Sequence, residues 1–367
     1  MFLIHVFTLQ LKQVNARNHN EKKILALDHT LLWEKKSKIS KSHIHFELHW
    51  ESQFLDISLK DWLKYLCYQN DKAISWHDTL TIDLRTSHPM GESNLSPPSV
   101  FGIVYKWCQK LKQPVGVSYR TVELYERFSR SYCSQTFYPK TAVNKSEFVT
   151  AKKISFQEIH TTFRHQSLLH LVSCLQIASK LENGYKVVTV KDAVDLLQKS
   201  KRPSDRSTIV NSEVLVLVTL NHEVDLPPIN DFLDTFICQL IRVLKKKPAL
   251  AKIKQLLLKV DEIHQVSMDF IRAIYFDQQV IIGRIVAGLR LDESAKGLIS
   301  EKGIYDFHRV QSDKVLLAAG AITAAVFIIQ PNAVSDVLRE LHIRTGAYPS
   351  EVAVVSSLLV GHLEPIV

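Results

Sequence analysis

A chain of 367 residues exceeds one ordinary domain and fits two with extensions. Hydrophobic residues make up 46% and charged residues 23%, a globular balance that excludes wholesale disorder. The net charge is +9, concentrated between residues 96 and 165, where eleven Lys and Arg face four Asp and Glu. An electrostatic partner such as phosphate or an acidic surface is expected to meet the chain there.

Only eleven glycines, long apolar runs of helical period and few alternating strands predict an all-α protein. Cys67, Cys108, Cys133, Cys174 and Cys238 are odd in number and form no CxxC, so they read as reduced intracellular thiols. The apolar start MFLIHVFTLQL lacks a basic leader and a small-residue cleavage site, which argues against a signal peptide. The longest oily run, Val315 to Ile329, is shorter than the ~20 residues that span a bilayer. It reads as a core helix, and no membrane contact is expected.

In chain order, residues 1–95 form an N-terminal extension, with 1–45 peripheral. Within it Ile57, Leu59, Trp62, Leu63, Leu66 and Cys67 share one face of an amphipathic helix, with Ser58 as its N-cap. A polar linker follows, with Pro89, Gly91, Pro97 and Pro98.

Residues 96–228 hold five predicted helices. The first spans Ser99–Lys112 with Val100, Ile103, Val104 and Trp107 inward, and the second spans Ser118–Ser129. A basic insertion, 130–165, precedes the third, Gln166–Glu182, which Asn183–Gly184 stops. The insertion is loop-like and long enough to be functional, and Lys140, Lys145, Lys152 and Lys153 are its candidate phosphate contacts. The fourth helix spans Thr189–Lys199 with Thr189 as N-cap, and the fifth spans Asp205–Asn221. Residues 229–367 repeat the rhythm with Ile229–Leu244, Ala249–Ile274, Asp313–Gln330, Ala333–Ile343 and Ser350–His362, a second five-helix unit.

Two charges stand out in apolar helices: Lys180 in LLHLVSCLQIASKLE and Glu213 in SEVLVLVTLNHEVDLP. A lone charge in such a helix is costly unless it pairs or reaches water. As opposite charges in two apolar helices, they suggest one polar clasp on an apolar surface. No phosphate-binding glycine loop, GxSxG or HExxH is present, so catalysis is not expected. His43, His45 and His49 lack an acid or Cys to complete a metal site, and neither a metal nor a cofactor is expected.

The strings TVELYERF (Thr121 to Phe128), LQIASKLE (Leu175 to Glu182) and NSEVLVLVTLNHEVDLPPINDFL (Asn211 to Leu233) resemble the cyclin box. The resemblance runs over roughly residues 45–365, is strongest over 115–235, and is nearest to meiotic cyclin-like proteins. It implies a cyclin-like fold: a cyclin box at 96–228 and a degenerate cyclin-like domain at 229–367. It also implies a nuclear, chromosome-associated regulatory protein of meiotic crossover formation, working with a cyclin-dependent kinase and recombination proteins. Its Lys and Glu positions, which in cyclins bind kinase backbone groups, fall on Lys180 and Glu213, with Ile177, Leu181 and Leu217 as apolar neighbours.

The substrate-docking patch of the family is only partly matched. Val100 and Ile103 keep apolar positions, while Lys106 stands where an acid is expected and Leu168 where a Gln is. Two other readings stay open: a kinase-free scaffold for recombination factors, and a nucleic-acid-binding protein using the basic stretch 106–164.

Overall fold

The computed structural model describes residues 53–85, 100–137, 156–182, 186–246, 256–295 and 307–363. Among these every regular element is a helix and none is a strand, so the fold is all-α. Residues 1–45, the proline linker, Asn183–Gly184 and the four insertion lysines Lys140, Lys145, Lys152 and Lys153 lie outside the described residues.

The chain opens with α1, Gln53–Arg85. It starts before Ser58, which is therefore inside the helix rather than its N-cap. Leu63, Leu66 and Asn70 are buried, whereas Trp62 turns outward and stacks on Tyr65 with ring centroids 5.1 Å apart. A stripe broad enough to include Trp62 in the sequence is thus narrower in the fold.

Five helices follow: α2 (Val100–Leu111), α3 (Val115–Phe137), α4 (Phe156–Leu181), α5 (Val190–Lys199) and α6 (Arg206–Thr219). The expected Thr189 cap of α5 is present, and Asp205 caps α6. Thr189 accepts from the Asp192 amide while Asp192 accepts from the Thr189 amide, a reciprocal capping box. Asp205 accepts from the Thr208 amide at 2.7 Å.

The flanks of the insertion correct its expected extent. Helix α3 runs past Ser129 to Phe137, and α4 begins at Phe156, ten residues before the expected Gln166. Only 138–155 of the expected loop stays outside the described residues. The cause is an aromatic zip that a Ser/Thr-rich composition concealed. Phe128 and Tyr132 on α3 meet Phe163 and His170 on α4, with centroid distances from 5.0 to 6.3 Å.

The remaining helices are α7 (Ile229–Lys246), α8 (Val260–Phe276), α9 (Gln278–Ala295), α10 (Phe307–Ser312), α11 (Lys314–Ile329), α12 (Val334–Thr345) and α13 (Pro349–Leu363). Of the expected Ala249–Ile274 helix, residues 256–258 are helical, a turn at Lys259 interrupts it, and α8 continues from Val260, while 249–255 lie outside the described residues; α9 and α10 are additional. A one-residue break at Asp277 separates α8 from α9 without any Gly or Pro to announce it.

Helix α11 is buried all round from Lys314 to Val326, which explains its unbroken apolar sequence. Its small residues let α13 come close. A Cβ on Gly320 would lie 2.3 Å from Val355 Cγ1 and 2.9 Å from Val355 Cβ. Core side chains of both helical sets merge into one contiguous cluster. All five cysteines are free thiols.

A buried polar node ties the sets together. Lys314, in the first turn of α11, pairs with Glu123 of α3 at 2.6 Å and donates to the Pro227 carbonyl at 2.6 Å. The Tyr275 hydroxyl of α8 donates to the other Glu123 oxygen at 2.6 Å. Asn70 of α1 accepts from the Lys314 and Val315 amides and donates to Asp313, the α11 N-cap, so orphan amides at this helix start are satisfied.

Candidate functional site

The two awkward charges meet. Lys180, at the C-terminal end of α4, donates from Nζ to Glu213 Oε1 on α6. The Lys180 side chain is 48% exposed and Glu213 only 14%, so the cation stem lies along the surface while the carboxylate is nearly covered. A lysine in the last turn of a helix also complements that helix's dipole.

The helix pair is held in register by buried polar contacts. Ser212 Oγ lies 3.0 Å from His170 Nδ1 and 2.8 Å from Ser173 Oγ. Burial among aromatic rings lowers the His170 pKa to about 4, which keeps the ring neutral at physiological pH. At the far end of α4, Ser179 accepts from the Val188 amide at 3.0 Å and pins the strand-like approach to α5.

Helix α6 has two apolar faces rather than one. Ile209, Val216 and Leu220 are buried in the core. On the opposite side Val210, Val214 and Val218, spaced four apart, are 41%, 52% and 57% exposed. At about 100° per residue, Glu213 and Leu217 occupy the arc between the core face and this stripe. Leu215 extends the exposed apolar surface. A solvated helix ordinarily turns polar residues outward, and this helix instead leaves a contiguous valine face exposed.

The expected apolar neighbours divide. Leu181 and Leu217 are half-buried beside the Lys180–Glu213 pair. Ile177 is 3% exposed and belongs to the core, so it supports the surface from below and presents nothing to a partner. The valine stripe was missed in the sequence; its signal was a fifth helix with no polar face, visible in IVNSEVLVLV.

The expected docking patch on α2 is partly covered. Val100 is buried and Ile103 half-buried, while Lys106 is exposed. Phe276 of α8 packs edge-on against Phe101 at 4.9 Å and against Tyr105 at 5.7 Å, covering part of the helix. Val100 therefore belongs to the core, while Ile103 keeps part of its surface exposed.

No group of His, Cys, Asp or Glu among the described residues is arranged to hold a metal ion, and no described helix is long and apolar enough to cross a membrane.

Comparison with known proteins gives two relatives with the same description. The chain is 26% identical over 314 residues to human cyclin N-terminal domain-containing protein 1, covering 83% of this chain and 84% of that protein. It is 24% identical over 306 residues to the mouse protein, covering 83% of each. No family model matches the chain.

Proposed function

We propose that this cyclin-like protein is a non-catalytic regulatory subunit that docks a cyclin-dependent kinase on its α4–α6 face and acts in meiotic crossover formation. The observation that carries the docking surface is the Lys180–Glu213 pair beside an uncovered valine stripe. An apolar groove can receive an amphipathic helix of a partner, with anchors at helical spacing. A charge pair at its margin fixes register and orientation more than it adds affinity. Binding a kinase whose regulatory helix is turned inward in preference to one turned outward would shift the kinase toward its active state.

The meiotic, nuclear and chromosomal setting rests on the family resemblance alone. Recombination proteins are the further partners it implies. The basic stretch 106–164 is less suited to nucleic acid than its charge suggests, because Arg120 is buried and Arg127 and Arg130 are half-buried.

The test removes both members of the clasp. Lys180→Ala alone would leave Glu213 nearly covered and unpaired, and would confuse stability with binding. In Lys180→Ala/Glu213→Ala both charges go, and unfolding free energy is expected to stay within about 1 kcal/mol of the parent. Native mass spectrometry of the affinity-purified complex is expected to lose its kinase subunit. An undiminished kinase subunit in the double variant, or none with the parent protein, overturns the reading; the latter result leaves a kinase-free scaffold.

A further inference from the structure

A second site lies apart from the α4–α6 face. Arg120, Arg127 and Arg130 occupy one side of α3 and line a cleft of about 70 Å³. The other walls come from α1, from the turn after α6, and from the junction of α10 with α11. Five cations and three carboxylates line it. Like-charged guanidinium groups do not collect in a partly closed space without compensation.

Most of the cations have a partner. Lys314 pairs with Glu123 at 2.6 Å, Lys72 with Glu223 at 3.2 Å, and Arg120 with Asp225 at 3.1 Å. Arg130 Nη2 donates to Gln311 Oε1 at 2.5 Å, and Gln311 Nε2 donates to Glu126 Oε2 at 2.7 Å.

Arg127 differs. Its guanidinium carbon sits 5.6 Å from the centroid of the Trp76 ring, and its Nη1 is buried with no acceptor. The Nε of Arg120 is likewise buried and without an acceptor. Each such donor is destabilising while it stays unsatisfied. Buried orphan donors on two cationic side chains that line one cleft therefore call for a specific occupant.

We propose that this cleft binds an oxyanion of the phosphate class, free or carried on a phosphorylated side chain, with Arg127 and Arg120 as its principal donors. A tetrahedral dianion brings several acceptor oxygens, and planar guanidinium forks match them in geometry and charge. The Trp76 face holds the Arg127 plane so that little side-chain freedom is lost on binding. Trp76, Val224 and Leu226 provide an apolar wall for the residue that carries the phosphate. The site joins α1, α3 and α11, so an occupant would also brace the two helical sets against each other.

The test uses the full chain at neutral pH and constant ionic strength. Inorganic phosphate is titrated against sodium chloride, followed by the melting temperature and by isothermal calorimetry. A saturable rise in melting temperature with phosphate and none with chloride is expected. A phosphothreonine peptide and its unphosphorylated twin form the second arm. Tenfold tighter binding of the phosphopeptide than of free phosphate identifies a phosphorylated chain as the source; equal affinities identify the free anion.

Arg127→Met keeps a side chain on Trp76 and is expected to weaken phosphate binding at least tenfold. Lys191→Met, on the exposed face of α5, is expected to leave binding unchanged. Arg127→Lys keeps the charge and should fall between Arg127→Met and the parent. Absence of saturable binding by the parent chain refutes the site whatever the variants do. Binding by Arg127→Met equal to that of the parent refutes the assignment of its donors.

Discussion

Replacing Val210, Val214 and Val218 together by Ser tests the docking surface without touching its charges. The three valines are 41%, 52% and 57% exposed, so roughly half of each side chain is left for a partner to cover. Full burial of a valine is worth about 1.5 kcal/mol at the lower end, hence about 0.7 kcal/mol for each half. Summed over the stripe this is about 2 kcal/mol, or a roughly 30-fold weaker Kd. Folding should change little, because Val and Ser have similar helix propensities and exposed substitutions usually stay within about 0.5 kcal/mol each. Surface plasmon resonance with the co-purified kinase measures the first quantity, and urea unfolding the second. Ile343→Ser, at an exposed apolar position on α12, provides the control and should bind as the parent does. A Kd within threefold of the parent, with the fold intact, would refute the stripe as an interface.

Two further predictions concern the fold that carries both sites. Burial pushes the Glu126 carboxyl from its ordinary 4.5 up to about 7, opposed in part by Arg130. The folded protein therefore keeps a proton that the unfolded chain releases, so this contribution is complete below about 4.5 and is lost as pH rises through about 7. Glu126→Gln should flatten that decline by up to about 3 kcal/mol, read from urea midpoints between pH 4.5 and 8; an unchanged slope would rule out Glu126 as its source. Gly320→Ala should destabilise by about 1–3 kcal/mol, since the new Cβ meets the branched Val355 side chain at 2.3 Å. Adding Val355→Ala should recover part of the loss in thermal unfolding, and full additivity of the two changes would contradict the close approach.

The helical elements near strong local signals were legible in the sequence. Thr189 and Asp192 form a capping box from residues three apart, so α5 begins where its own chemistry places it. The same holds for Asp205 at the start of α6 and for the apolar run that becomes α11. Elements held by distant partners were not. The extension of α3 beyond Ser129 depends on Tyr132 meeting Phe163, and neither residue announces the other along the chain. The helix expected to end at Ile274 stops close to the break at Asp277, but α9 beyond it went unassigned, with no Gly or Pro to mark its start.

The sequence by itself determined that this protein is helical, that it resembles cyclins, and that Lys180 and Glu213 are charges needing an explanation. Those properties rest on composition, short periods and local strings, which each segment carries without reference to the rest. Only the tertiary structure decided which apolar residues face outward. It buried Ile177 and exposed Val210, Val214 and Val218, a division that depends on how α6 is rolled against α4. It also turned Arg120 and Arg127 of the basic stretch into a cleft shared with α1 and α11. Net charge along a chain is blind to direction; burial and partners are set by packing between segments far apart in sequence.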